Sequence, residues 1–177
     1  MIKTAIFLWR FQPFHIGHYS IVEKILTEYK RLMLVIGSAE KSGTDENPWT
    51  LQEREEIIRA SIPLELQERM DIVWLDDVPD DDIWCENLKA LTSPVIARNE
   101  MTTRSREWIA SPSTSSGSQW QGITSLTLIT GNEWVRDICA RHGIQTEWID
   151  SYEIDISGTR IREMIQRGED VSNFTFL

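Results

Sequence analysis

Two of the three histidines in this 177-residue chain stand three positions apart with a glycine between them, His15-Ile16-Gly17-His18. Imidazoles donate hydrogen bonds to phosphate oxygens, so what the pair could do depends on the turn that carries it. Ile2 to Trp9 is apolar enough for a buried strand, Arg10 to Gly17 holds the loop residues Pro13 and Gly17, and a helix is expected from about His18 to Tyr29. A loop at the carboxyl end of a strand, running into a helix N-terminus, aims backbone N–H groups and a positive dipole end at any anion in the crevice. Metal ligation and simple packing are the competing readings. Zinc would need two further ligands, and neither Cys85, Cys139 nor His142 lies close by in sequence.

A second set of polar residues lies near the other end, Ile156-Ser157-Gly158-Thr159-Arg160-Ile161-Arg162. Ser157 or Thr159 can cap a helix running to Arg167, the first-turn N–H groups can face a phosphate, and Arg160 and Arg162 stand beside them. Taken alone, this segment also reads as a surface helix with two solvated arginines.

Both sets depend on a framework that the apolar pattern suggests. Arg31 to Gly37, Asp71 to Leu75, Ser125 to Thr130 and Ile144 to Ile149 join Ile2 to Trp9 as strand candidates. Helices are expected between them: one capped by Thr50 with Glu53 three residues later and running to Ser61, one around Ile83 to Leu91, and one from Asn132 to His142 closed by Gly143; the last helix is closed by Gly168. Such alternation argues for a single Rossmann-like α/β domain whose mostly parallel five-stranded sheet is flanked by helices, with ligands at the carboxyl ends of the strands. Residues 95–123 break the rhythm. They are rich in Ser, Thr and Arg and read as an inserted surface loop, or as a lid using Arg98, Arg104 or Arg106.

The formal charge of -10 speaks against a general nucleic-acid surface, which needs many clustered Lys and Arg. Any phosphate site must be local, with its basic groups gathered at the pocket and Mg2+ accompanying a nucleotide substrate. The apolar runs are too short to cross a bilayer, no signal-peptide pattern opens the chain, and two widely spaced cysteines suit a reducing compartment, so a cytoplasmic location is expected.

At this point the chain resembles the nucleotidyltransferase superfamily marked by His-x-Gly-His after the first strand. The matching run is Arg10-Phe11-Gln12-Pro13-Phe14-His15-Ile16-Gly17-His18, and Ile156 to Arg162 is similar to that superfamily's second motif, Ile-Ser-x-Thr-x-Ile-Arg. Within the superfamily the chain looks most like the archaeal-type nicotinamide-nucleotide adenylyltransferases. Glu46-Asn47-Pro48-Trp49-Thr50-Leu51-Gln52-Glu53-Arg54 resembles their Asn-Pro-Phe-Thr-x-x-Glu-Arg segment, Val78-Pro79-Asp80 with Trp84 their Pro-Asp segment and stacking tryptophan, and Thr130-Gly131-Asn132 their Gly-Asn strand end. One departure stands out: Trp9 occupies the place where the family has glycine before the arginine.

The resemblance implies that ATP and nicotinamide mononucleotide condense to NAD and pyrophosphate, with Mg2+ arriving on ATP. It implies His15, His18 and Arg162 as catalytic residues; Arg10, Gly17, Ser157, Thr159 and Arg160 as ATP-binding; and Asn47, Arg54, Asp80, Trp84 and Asn132 as acceptor-binding. Relatives are often homo-oligomeric. Two rivals stand beside this reading: a superfamily member using pantetheine phosphate, a flavin nucleotide or another acceptor, and a nucleotide sensor without turnover, which Trp9 motivates.

Overall fold

A computed structural model describes residues 2–92, 123–149 and 156–177. Its strands are β1 (Ile2–Trp9), β2 (Arg31–Gly37), β3 (Met70–Leu75), β4 (Ile123–Thr130) and β5 (Thr146–Trp148). The helices are α1 (Ile16–Glu28), α2 (Leu51–Ser61), α3 (Leu64–Gln67), α4 (Asp81–Thr92), α5 (Glu133–Arg141) and α6 (Gly158–Gln166). The strands form one sheet in the order β3-β2-β1-β4-β5, and every pairing is parallel. The chain winds outward from β1 through β2 to β3, then returns to the other side of β1 for β4 and β5. That reversal opens a crevice between the carboxyl ends of β1 and β4, where nucleotides bind in folds of this type.

Alternate residues of the central strands feed opposite faces, which is why they read as continuous apolar runs. Phe7, Leu34 and Ile36 pack with Val22 and Ile25 of α1 and Ile58 of α2. Ile6, Leu8, Met33 and Val35 pack on the other side with Leu88 of α4 and Val135 and Ile138 of α5.

Local chemistry sets the helix ends. Thr50 Oγ1 accepts from Glu53 N at 3.3 Å and Glu53 Oε2 accepts from Thr50 N at 2.8 Å, a reciprocal box that starts α2. Gly143 and Gly168 take the left-handed conformation (φ 70° and 71°) just beyond α5 and α6.

Several element boundaries differ from expectation by a residue or two, and one helix is new. α1 begins at Ile16, because His15 takes the extended cap position; β5 is only Thr146–Trp148; and the unexpected α3 follows Pro63, whose carbonyl accepts from Leu66 N and Gln67 N. Of the expected insertion, residues 95–122 lie outside the described residues, while Ile123 opens β4. Among the described residues no helix is long and apolar enough to cross a membrane.

Candidate active site

β1 delivers the chain into a loop whose backbone turns sharply at Phe11 (φ 52°) and passes through a cis Gln12-Pro13 bond before α1 begins. His15 caps α1, and its backbone N–H donates to Nδ1 of His18 at 3.3 Å. That bond puts the ring hydrogen of neutral His18 on Nε2. The two imidazoles stack with centroids 3.7 Å apart, and both are 1% exposed. Phe7, Trp9, Phe11 and Phe14 surround the His18 ring at 5.0 to 6.2 Å. Burial pushes His15 down to about 4, and burial followed by the neighbouring His15 charge pushes His18 well below the usual range. Both rings are therefore neutral hydrogen-bonding groups near pH 7, and positive charge must come from elsewhere.

It comes from arginine. Arg162 of α6 donates from Nη1 to the carbonyl of Gln12 at 2.6 Å and from Nη2 to Thr159 Oγ1 at 3.1 Å, so the C-terminal motif is bonded directly to the loop of the first one. Gly158 makes this approach possible: a Cβ there would lie 2.8 Å from the Gln12 carbonyl oxygen. Ser157 caps α6, its Oγ accepting from Arg160 N at 3.2 Å. The Arg162 guanidinium is pulled below its ordinary value by burial and then by the charge of Arg10, with Glu46 and Glu163 opposing. Arg10 also acts on Lys41, whose ammonium pairs with Asp77 at 2.6 Å. Arg10, Lys41 and Arg162 thus form a local basic patch on an acidic protein. Gly17 is buried in the first turn of α1, and Arg160 is exposed.

The expected acceptor residues separate into two groups. Asn47, Asp80 and Asn132 sit on loops at the carboxyl ends of β2, β3 and β4. Asn47 is buried in a turn where its N–H donates to Thr44, while Asp80 and Asn132 cap α4 and α5. Trp84 and Arg54, the other group, are both buried. Trp84 is 4% exposed and packs in the core beneath α4, its ring at 61° to that of Trp134 with centroids 5.2 Å apart. Arg54 is 0% exposed, and all five of its N–H donors go to main-chain carbonyls. Neither motif spacing nor composition says which way a side chain points.

Trp9 lies across the crevice. Its indole packs over Gly131, where a Cβ would meet Cη2 at 3.3 Å, and its edge meets His18 with centroids 5.9 Å apart.

Three participants carried no signal of their own in the sequence. The Gln12 side chain makes paired bonds with the Trp49 backbone (2.9 and 3.0 Å), tying the β1–α1 loop to the β2–α2 loop. Lys41 joins the basic patch. A C-terminal segment braces the histidine loop, with Ile16 N donating to Phe174 O at 3.0 Å and Thr175 Oγ1 to Phe14 O at 2.9 Å. Among the described residues, no three His, Cys, Asp or Glu side chains gather to hold a metal.

A family model described as cytidylyltransferase-like matches residues 6–164. The chain is 30% identical to the nicotinamide-nucleotide adenylyltransferase of Thermoplasma volcanium, an alignment covering 94% of this chain and 95% of that protein. Its fold is similar to that of a bifunctional NMN adenylyltransferase/ADP ribose pyrophosphatase from Francisella tularensis, with TM-score 0.71 and 18% identity; 99% of this chain matches 45% of that larger one. A second structure of that bifunctional protein, complexed with AMP and Mn ion, matches with TM-score 0.68 and 18% identity, over 99% of this chain and 44% of that one. The chain therefore belongs to the cytidylyltransferase-like family and, within it, to the nicotinamide-nucleotide adenylyltransferases.

Proposed function

We propose that this chain joins the adenylyl group of ATP to the phosphate of nicotinamide mononucleotide. An oxygen of the acceptor phosphate attacks the α-phosphorus in line, the bond to the bridging oxygen of the β-phosphate breaks, and NAD and pyrophosphate leave. No covalent enzyme intermediate is needed, so the protein's work is positioning and electrostatic stabilisation.

The observation that carries the reading is the 2.6 Å bond from Arg162 to Gln12, which brings the guanidinium of one motif to the loop that carries the histidines of the other. In this reading His15 and His18 donate to the transferred phosphate as neutral rings, and Arg162 and Arg10 hold the departing pyrophosphate. Gly17, Ser157 and Thr159 line the two helix N-termini facing the triphosphate, with Arg160 at the rim. Asn47, Asp80 and Asn132 face the acceptor. Mg2+ enters as part of the substrate, carried on phosphate oxygens, and supplies charge neutralisation there. The buried free thiols Cys85 and Cys139 fit the reducing cytoplasm in which we place the chain.

The test is a Mg2+-dependent assay for dinucleotide and pyrophosphate with a panel of acceptors: nicotinamide mononucleotide, nicotinic acid mononucleotide, pantetheine phosphate and flavin mononucleotide. Formation of NAD as the fastest product supports the reading; a faster reaction with pantetheine phosphate or flavin mononucleotide replaces it. Trp9 in the crevice favours one alternative, a sensor that binds nucleotides without turnover. Calorimetric binding of both nucleotides with no pyrophosphate released would establish that alternative.

A further inference from the structure

We infer that Arg54 is a positioning residue for this site: it touches no substrate and acts through Arg10, whose backbone it fixes beside the triphosphate. The inference rests on the function proposed above.

Arg54 projects from α2 into a space with no exposure, and among the described residues no carboxylate pairs with it at ion-pair distance, the charge of Glu40 acting on it only from farther away. A buried cation without a counterion is costly unless its hydrogens are all satisfied. Here carbonyl dipoles satisfy them. Nε donates to Thr50 O (3.3 Å), Nη1 to Arg10 O (3.1 Å) and Gly37 O (3.0 Å), and Nη2 to Ser38 O (3.3 Å) and Ala39 O (3.0 Å). Thr50 O belongs to the cap of α2 itself; the other four carbonyls belong to two segments, the ends of β1 and β2, which flank one side of the crevice.

What they hold is strained backbone. Among the described residues only two that are not glycine have positive φ, Phe11 at 52° and Ser38 at 47°. Such conformations persist when surrounding contacts over-determine them. Arg54 grips the carbonyl immediately before each of these residues, Arg10 O and Gly37 O, and that of Ser38 itself. The Arg10 side chain is exposed and its charge acts on both Arg162 and Lys41. Arg54 therefore sets the direction of a phosphate-facing arginine from behind. Lysine cannot substitute, because one ammonium with three donors cannot reach five carbonyls spread across a planar fork.

A double-mutant cycle read by calorimetry with MgATP tests this, using the full chain with Arg54→Lys, Arg10→Ala and both together. Each single change is expected to weaken binding about tenfold, the size of losing one charge-assisted contact. If Arg54 acts through Arg10, the double variant is also weakened only about tenfold. A product near a hundredfold, or no effect of Arg54→Lys, overturns the inference. A measurement without substitution covers the case in which Arg54→Lys does not fold: nitrogen-15 NMR of arginine side chains in the unaltered chain during MgATP titration. The Arg54 signals should stay slowly exchanging and nearly unshifted while those of Arg10 and Arg162 move; an Arg54 shift as large as theirs puts it on the nucleotide and overturns the inference. Failure of the unaltered chain to bind MgATP overturns both this inference and the proposed function, whereas binding with additive effects overturns this one alone.

Discussion

His18 meets the transferred phosphate, in the proposed mechanism, as a neutral ring whose tautomer is set by the N–H of His15. His18→Ala should lower kcat by roughly 100-fold or more, the usual cost of losing one preorganised donor to developing charge. Single-turnover measurement of NAD formation checks it, and an unchanged rate removes His18 from the chemistry. The burial of His15 has a second effect, on stability. Its pKa falls from 6.5 in the unfolded chain to about 4 in the folded one, so between those values the unfolded chain binds the proton and the folded chain does not. The contribution is complete above pH 6.5 and is lost as pH falls toward 4, reaching about 2 kcal/mol lost at pH 5. Urea midpoints measured between pH 7 and 5 should fall, and His15→Gln should flatten that slope; identical slopes for the two proteins refute the assignment. Trp9 is the residue whose replacement should enlarge the site. With Trp9→Gly the crevice above Gly131 opens, and the KM for the two nucleotides should change more than kcat, a split that initial-rate kinetics resolves.

At the scale of elements, the meeting of α6 with the β1–α1 loop depends on one missing methyl group. Gly158→Ala must push the Gln12 carbonyl and the Arg162 guanidinium apart, since the added Cβ would sit 2.8 Å from one and 3.3 Å from the other. Overpacking of this kind costs about 1–3 kcal/mol. We expect a lower thermal midpoint together with weaker MgATP binding; a variant with unchanged affinity would show that the Arg162–Gln12 contact is dispensable. The strands and most helices were legible beforehand because a parallel sheet buried on both faces needs unbroken apolar runs, and because Thr50 with Glu53, Gly143 and Gly168 mark helix ends by simple backbone chemistry. The positions of His15, His18 and Asn132 at helix starts, and of Arg162 one turn into α6, are legible for the same reason. Trp84 and Arg54 are not. Their place in the chain is where a ligand-facing residue would stand, but helical rotation turns Trp84 into the core and Arg54 onto carbonyls. Only three-dimensional packing decides between those outcomes.

For the whole molecule, the -10 charge and the small basic patch of Arg10, Lys41 and Arg162 belong together. An acidic surface repels free polyphosphate at a distance, so metal-complexed ATP, with its charge partly neutralised, is the form that approaches most readily. The patch then supplies attraction over a few ångströms, inside the reach of ionic screening. The segment around Phe174 and Thr175 adds a different kind of order. Thr175 reaches across 161 positions of chain to donate to the carbonyl of Phe14. During synthesis the first strand, the histidine turn and the first helix therefore emerge well before the residues that brace them. A polypeptide that has emerged only as far as residue 170 would carry the histidine loop without its bonds to Phe174 and Thr175, so the order of that loop waits on a segment made more than 150 positions after it.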